Sequence, residues 1–324
     1  MPTASTRIEI GFPIVRYDIT LPLLQGRIEI DGVRLNPMKT PSMVFEENLL
    51  LKQGDFGLWD LNIGYLLPAI EAGWELIALP VFAKRKSAYQ FIFCRSDRGI
   101  KSPKDLEGKR IGSTSYRTAL TVWVRGLLQH RHRVEIGTLR WLAARGYFPI
   151  HDEKAQIESP GGRINPVDLL IKGEVDAIIT DISDAKLFQT LENEPNVTRL
   201  FPNYIDEDAK LYRQTGVYTP VHVIVMSKKI DRQYPDLARK LYDAFERSKK
   251  MAYDDVLSDQ AGFSVVYLRE QMKKQMEEWG DPWKYGIQAN RSTIDAIIQH
   301  NQEQGMIRGK LSYRDVFAES TLDT

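Results

Sequence analysis

Residues 88–128 constrain the fold most strongly, because they place two predicted strands and a helix in a fixed order. Aromatic and β-branched side chains at 89–94 favour a strand, and residues 109–112 predict a shorter one. Hydroxyl-rich residues 113–118 then lead into a helix predicted over 119–129, whose free N–H groups could bind an anion. This order predicts a chain that leaves one α/β lobe and enters another, with a small-molecule cleft between the two.

A second β-rich run, GVYTPVHVIVM at 216–226, predicts the return crossing. A chain of 324 residues is long enough for two lobes, each with its own core. We therefore predict a first lobe formed by residues 1–95 together with 217–324, and a second lobe formed by residues 96–216.

A weak internal repeat supports two lobes of similar build. LLLKQGDFGLWDLN begins at Leu49, and LLIKGEVDAIITD begins at Leu169. Each stretch has a helical pattern, a glycine, an acidic residue and a short apolar strand that ends in a polar side chain. The repeat predicts that Asp60 or Asn62 in one lobe and Asp181 in the other lie at strand ends, where such folds bind ligands.

Charge and hydropathy exclude several classes of partner. The net charge of +1 gives no reason to expect a nucleic-acid partner. The longest apolar region, 61–70, is too short to cross a bilayer and includes a proline. Without a recognisable leader the chain is expected in the cytoplasm, or in the periplasm if a leader was removed. Self-association is left open.

Cysteine and histidine spacing predicts no metal or cofactor. The single cysteine, Cys94, lies in a predicted strand and allows no disulfide within the chain. Metal-binding spacings such as His-x-x-x-His are absent, and so are a glycine-rich phosphate loop and a nucleophile elbow. Four of the five histidines are predicted at the surface or in loops: His130, His132, His151 and His300.

Several segments resemble the 4,5-dihydroxyphthalate decarboxylase family, and together they span nearly the whole chain. The most specific are WVRG at 123–126, RLFP at 199–202 and VHVIV at 221–225. The segment DLEGKRIG at 105–112 also occurs in many binding proteins. The resemblance implies a two-lobe, periplasmic-binding-protein-like (type II) α/β fold with two inter-lobe crossings. It also implies cofactor-independent decarboxylation of a hydroxylated aromatic carboxylic acid in the inter-lobe cleft.

The chain departs from the family pattern in three segments. Residues 17–20 (YDIT), 88–90 (AYQ) and 115–117 (SYR) stand where the family has Tyr-Asp/Glu-His-Thr, Arg-His-Ser and Glu-Tyr-Gln. Two histidines and one carboxylate of the family pattern are therefore replaced.

Loss of CO₂ from a hydroxybenzoate needs a proton donor or base, and a binding group for any carboxylate that stays. His222, in the crossing strand, is the first choice for proton transfer, with a hydrogen-bonded core histidine as the alternative. Asp60, Tyr116 and Asp181 are the other catalytic candidates, although each could instead cap a turn or pack.

Substrate-binding candidates are arginines, which bind carboxylates in bidentate fashion, and neighbouring polar or aromatic residues. Arg117 stands first because it lies beside a predicted helix start. The full set comprises Arg16, Tyr17, Trp59, Asn62, Arg85, Ser115 and Arg117. Trp59 could stack on a ring or simply belong to the core.

Three functions remain open on the sequence. The first is a decarboxylase for an aromatic carboxylate. The second is a solute-binding protein for an aromatic or other small carboxylate, without chemistry. The third is a ligand-sensing or partner-binding module. Missing family histidines favour the second and third, and the lack of a leader favours the first.

Overall fold

The computed structural model describes residues 7–13, 17–39, 44–162, 164–258 and 262–324. The strands are β1 (Ile8–Pro13), β2 (Val33–Met38), β3 (Leu58–Asn62), β4 (Leu76–Ala78), β5 (Lys84–Arg85), β6 (Ile92–Arg95), β7 (Arg110–Ser115), β8 (Arg140–Ala144), β9 (Gln156–Glu158), β10 (Ala177–Ile179), β11 (Val197–Arg199) and β12 (Pro220–Ser227). The helices are α1 (Leu21–Leu24), α2 (Val44–Gln53), α3 (Ile63–Glu71), α4 (Ala119–His132), α5 (Pro166–Ile171), α6 (Ala185–Asn193), α7 (Tyr204–Thr215), α8 (Lys228–Gln233), α9 (Leu237–Leu257), α10 (Leu268–Trp279), α11 (Arg291–Glu303) and α12 (Tyr313–Val316).

The described strands form three sheets, two in the first lobe and one in the second. In the first lobe β12 is the central strand, antiparallel to β3, β4 and β5, and β1 pairs in parallel with β2. In the second lobe six strands follow the order β11-β6-β10-β7-β8-β9. The predicted two-lobe α/β fold with two crossings is therefore confirmed.

Side chains that alternate along β3 and β12 pack into two apolar clusters of the first lobe, one on each face of the sheet. Trp59 and Leu61 lie in one apolar cluster together with Val223 and Val225. Leu58 lies in another cluster with Ile224, on the face covered by α9. Both faces are buried, so the two central strands carry apolar residues at successive positions.

The chain enters the second sheet earlier than the predicted lobe boundary at residue 95. Strand β6, residues 92–95, pairs with β10 and β11 of the six-stranded sheet. The return crossing leads into β12 from Pro220. The division of the chain at 95 and 217 into domains stays a prediction, but β6 itself lies in the second sheet.

The two repeat segments have the build expected of them. In each, a helix ends at a left-handed glycine, Gly54 (φ 71°) or Gly173 (φ 73°), and a short strand follows. Only glycine adopts this conformation without strain, which explains the glycine in both copies.

Among the described residues, every helix is too short or too polar to cross a bilayer.

Candidate functional site

The register of β12 against β3 brings two of the predicted catalytic residues together. His222 pairs with Asn62, and Ile224 pairs with Asp60. Because side chains alternate along a strand, His222 and Asp60 are diagonal neighbours on one face of the sheet. On this face of the sheet Leu58 and Ile224 are apolar, whereas the end that carries His222 and Asn62 is polar.

Asp60 joins His222 and Tyr17 in a hydrogen-bonded cluster. Asp60 Oδ2 lies 2.8 Å from His222 Nδ1 and accepts a hydrogen bond of 2.9 Å from the Tyr17 hydroxyl. The side chains of His222 and Asp60 are 21% and 10% exposed, so the cluster is shielded but reachable. We call these three residues the triad. Sequence reasoning named all three, but it did not predict that they touch.

The hydrogen bonds of the triad fix the roles of its atoms. An ionised carboxylate can only accept, so His222 Nδ1 carries a proton and His222 Nε2 is the nitrogen left for a substrate. Burial, followed by the charge of Asp60 and its hydrogen bond, raises the pKa of the Tyr17 phenol well above its usual value. Tyr17 therefore stays protonated as a donor to Asp60.

A cationic group lies next to the triad. Lys84 pairs with His222 across the ladder, and its ammonium lies 3.7 Å from Asp181 Oδ2. Lys86 Nζ donates to Asp181 Oδ1, which also accepts a bond of 3.2 Å from Ser183. Asp181 further acts on Tyr17 by its charge. We call Lys84 and Lys86 the lysine pair; Asp181 is their common partner.

Burial and neighbouring charges shift the pKa values of Asp181 and Lys86 in opposite directions. Burial alone would raise the pKa of Asp181, but the hydrogen bond from Lys86 and the two lysine charges lower it. Burial lowers the pKa of Lys86, partly offset by Asp181. Asp181 is therefore the carboxylate partner of both lysines in this structure.

Asn62 is bonded to two backbone N–H groups, one in each lobe. Its Oδ1 accepts from Gly64 N at 3.1 Å and from Ala119 N at 2.9 Å. Asn62 thereby caps α3 and also binds the first N–H of α4 in the other lobe. The predicted anion site at the start of α4 is thus already served by a protein amide, and the Thr118 side chain caps Thr121 N.

The side chains at 115–117 have partners outside the triad. Arg117 is fully buried and donates to the carbonyl oxygens of Phe148 and Pro149 at 2.9 and 2.8 Å. Tyr116, 2% exposed, lies under the guanidinium of Arg125, 3.7 Å from its ring centroid. Ser115 Oγ accepts from the backbone N–H of Arg117 at 3.3 Å. The structure does not bring these three residues to the triad, because carbonyls and a second arginine fix them in the core.

Arg85 and Trp59 also lie outside the cluster. Arg85 is buried and donates to two carbonyls and to Asn290 Oδ1. Burial lowers its pKa to about 10. Trp59, 2% exposed, faces the core on the side of β3 opposite to Asp60 and meets Phe56 edge-on. The remaining candidate, Arg16, lies outside the described residues.

Sequence reasoning missed the lysines that stand on either side of Arg85. The sequence shows the order Lys84-Arg85-Lys86, in which the arginine is the predicted carboxylate ligand. In an extended segment alternate side chains share a face, so Lys84 and Lys86 point together and Arg85 points the other way. That period of two was the signal that could have identified the lysine pair.

A separate cavity lies beside the turn that follows Tyr17. It has a volume of about 460 Å³, and Asp18, Tyr253 and Trp283 line it together with apolar side chains. No member of the triad lines this cavity. Donors close enough to share one metal ion also lie elsewhere in the described part of the chain, at His130, His300 and Glu303.

The architecture and the cluster together define a class: a two-lobe, solute-binding-protein-like α/β chain with a polar site at the junction of its lobes. Comparison with solved structures agrees. The periplasmic sulfonate-binding protein SsuA of Methylobacillus flagellatus superposes with a TM-score of 0.60 at 11% identity, covering 96% of this chain and 92% of that one. The desulfurization enzyme DSZB superposes with a TM-score of 0.54 at 16% identity, covering 98% of each chain.

Sequence comparison gives a more particular, distant relationship. The chain is 27% identical to a 4,5-dihydroxyphthalate decarboxylase of Comamonas testosteroni, over 98% of this chain and 99% of that protein. A protein of the same name from Pseudomonas putida is 28% identical over 55% of this chain and 72% of its own length. No protein-family model matches the chain.

Proposed function

We propose that this chain is a cofactor-independent decarboxylase for a hydroxylated aromatic carboxylic acid of the 4,5-dihydroxyphthalate kind. The observation that carries the proposal is the triad, in which a carboxylate orients a partly exposed histidine at the lobe junction. The distant relatives with decarboxylase names support the choice of reaction. The lack of a nucleic-acid or membrane signal supports a small-molecule substrate, and we propose a cytoplasmic location.

The proton balance of the reaction gives His222 its task. When an aryl carboxylate loses CO₂, the C–C bond breaks and the ring carbon gains one proton. An imidazolium at His222 can supply that proton from Nε2, while Asp60 stabilises its charge through Nδ1. Neutral His222 then recovers a proton from water. Tyr17 holds Asp60 in place, because its hydroxyl donates to the same oxygen as His222.

The lysine pair supplies the binding energy for a second carboxylate. Lys84 stands beside His222 in the ladder, so a ring held by its spectator carboxylate at Lys84 and Lys86 would lie next to the triad. The incoming carboxylate replaces Asp181 as the partner of the lysines. Charge-assisted hydrogen bonds of this kind are stronger than neutral ones, and they orient the substrate.

A second candidate function is a solute-binding protein for a small carboxylate. The likeness of the fold to sulfonate-binding proteins favours it, because those proteins are named for binding an anionic group. In that case the lysine pair would be the ligand site, and the triad would be a structural network.

The two functions separate in one assay. The protein is incubated with 4,5-dihydroxyphthalate, and released CO₂ and 3,4-dihydroxybenzoate are measured; phthalate, which lacks both hydroxyls, is the substrate control. We expect turnover of the first compound only, and its loss in Asp60→Asn. Saturable binding by calorimetry without product would support the solute-binding function and overturn the enzyme.

A further inference from the structure

Two helices from different parts of the chain bring three metal-binding side chains together, away from the triad. His130 lies near the end of α4, and His300 and Glu303 lie one turn apart on α11. One donor atom from each of the three lies within 4.8 Å of the others. His130 and His300 also stack, with ring centroids 5.4 Å apart and planes inclined by 19°.

His300 is built into the helix interface, contrary to its predicted surface position. His300 is only 6% exposed. The Trp123 ring meets its imidazole edge-on, with the ring centroids 5.4 Å apart. A Cβ atom at Gly126 of α4 would run into the His300 ring. Glycine is a poor helix former, so its presence in the middle of α4 makes room for this imidazole.

The buried imidazole has an unused ligand atom. Among the described residues, nothing hydrogen-bonds to His300 Nδ1, which is shielded from solvent. A buried polar atom without a partner is costly and calls for an explanation.

Glu303 is also held in position. Gln299 Nε2 donates to its Oε1 at 2.7 Å, which leaves Oε2 beside His130 Nε2 at 2.6 Å. Neighbouring donors that fix a carboxylate in this way are typical of the surroundings of metal ligands.

We propose that a divalent transition-metal ion of the zinc class binds between α4 and α11, held by His130, His300 and Glu303. Two imidazoles and one carboxylate suit Zn²⁺, whereas Mg²⁺ and Ca²⁺ prefer sites made of oxygen alone. Both exposed ligands, His130 and Glu303, lie at the surface end of the site, so water completes the coordination.

The ion would join the two lobes at the end of α4, and the other end of this helix contacts the first lobe near the candidate site. Helix α4 starts at Ala119, which is bonded to Asn62 of the first lobe, and it ends beside the donor set on α11. The metal therefore stabilises the lobe arrangement and takes no part in the proposed proton transfer. The rival explanation is a plain ion pair between His130 and Glu303.

Calorimetric titration of the metal-free, tag-free protein with ZnCl₂ tests the proposal, with MgCl₂ as the comparison. We expect one zinc ion per chain, a rise in Tm with zinc alone, and affinity lower by at least about 10-fold in both His130→Asn and Glu303→Gln, since even the outer-shell partners of a metal ligand matter this much. The matched controls are His151→Asn, a histidine outside the donor set, and Asp295→Asn, an exposed acidic residue on the same helix. Both should bind zinc as the parent does.

Absence of stoichiometric zinc binding would overturn the proposal, and so would an affinity that both ligand variants leave unchanged. The exposed positions 130 and 303 are used because removal of the buried His300 could prevent folding. The readout is independent of decarboxylation, so this proposal and the proposed function can fail separately.

Discussion

The triad and the arginines at the start of α4 are both shielded polar groups, yet they differ in what their atoms contact. Arg117 and Arg125 are fully buried and donate to backbone carbonyls, to Phe148 and Pro149 in one case and to Tyr116 in the other. His222 is bonded through one ring nitrogen to a side chain and keeps a fifth of its side chain exposed.

This difference distinguishes side chains that stabilise the fold from side chains that are available to a ligand. A buried guanidinium that donates to the carbonyls of another segment holds that segment in place, and removing it leaves those carbonyls unpaired. An imidazole held by a carboxylate has a fixed orientation and one nitrogen for a ligand. Variants in the two regions should therefore change different quantities, stability for the arginines and turnover for the triad.

The largest effect is expected for His222→Ala. If His222 supplies the proton, turnover should fall by about 10²–10⁴-fold, while the affinity for a non-reacting analogue should fall much less. Steady-state kinetics and calorimetry measure the two quantities. A variant that melts earlier but keeps its rate per folded molecule would remove His222 from the chemistry. His132→Ala, on α4, serves as the control.

Arg117→Met should show the opposite pattern. Two charge-assisted hydrogen bonds of about 1.5–3 kcal/mol each are lost in a fully buried site, so the free energy of unfolding should fall by about 3–6 kcal/mol. Urea unfolding measures this. Arg140 is exposed and makes two hydrogen bonds to the carbonyl of Gly108, so it provides the control. Arg140→Met should cost less than about 1 kcal/mol. A stable Arg117→Met variant with weakened ligand binding would return Arg117 to the site.

Asp208 on α7 extends the comparison to a buried carboxyl with too few donors. Burial, only partly offset by a hydrogen bond from Ser87, raises the pKa of Asp208 to about 7. The folded protein thus holds a proton that the unfolded chain releases near pH 4. Stability should therefore fall as the pH rises from about 4 to 7, by up to about 4 kcal/mol.

Asp208→Asn should remove this loss and be the more stable form at pH 8. Unfolding at pH 5 and pH 8 measures the change, with the exposed Asp206→Asn on the same helix as the control. Equal pH dependence in Asp208→Asn and the parent protein would show that Asp208 is ionised in the fold.

Lys86→Met should give the smallest effect, confined to binding. Loss of one cation from the lysine pair should raise KM for a dicarboxylate about tenfold and leave kcat largely intact, because Lys86 does not contact the triad in the described structure. The exposed Lys229→Met, whose ammonium pairs with Asp55, is the control. A fall in kcat with KM unchanged would place Lys86 in the chemical step.

Much of the fold could be read directly from local patterns. The β-rich runs, the helical periodicity and the glycines that end two repeat helices depend on neighbouring residues, so they predicted two lobes and two crossings. The same patterns predicted Asp60 or Asn62, and Asp181, at strand ends. Asn62 is the last residue of β3, Asp60 is its middle residue, and Asp181 follows the end of β10 by two residues.

The contacts of the site could not be read in this way. His222 meets Asp60 only because β12 pairs with β3 in one register, and a shift by one residue would turn His222 to the other face. The strand is apolar on both faces, so its sequence contains no signal for that register.

The arginines show the same limit. Arg117 stands beside a helix start in the sequence, but its direction depends on the carbonyls of residues 148 and 149, about thirty positions away. His300 lies on a helix of mixed polarity, and its burial depends on a glycine in α4. The sequence by itself determined the order of elements and the residue types available for chemistry. Only the tertiary structure decided which side chains meet, because strand register and helix packing join residues that are far apart in the chain.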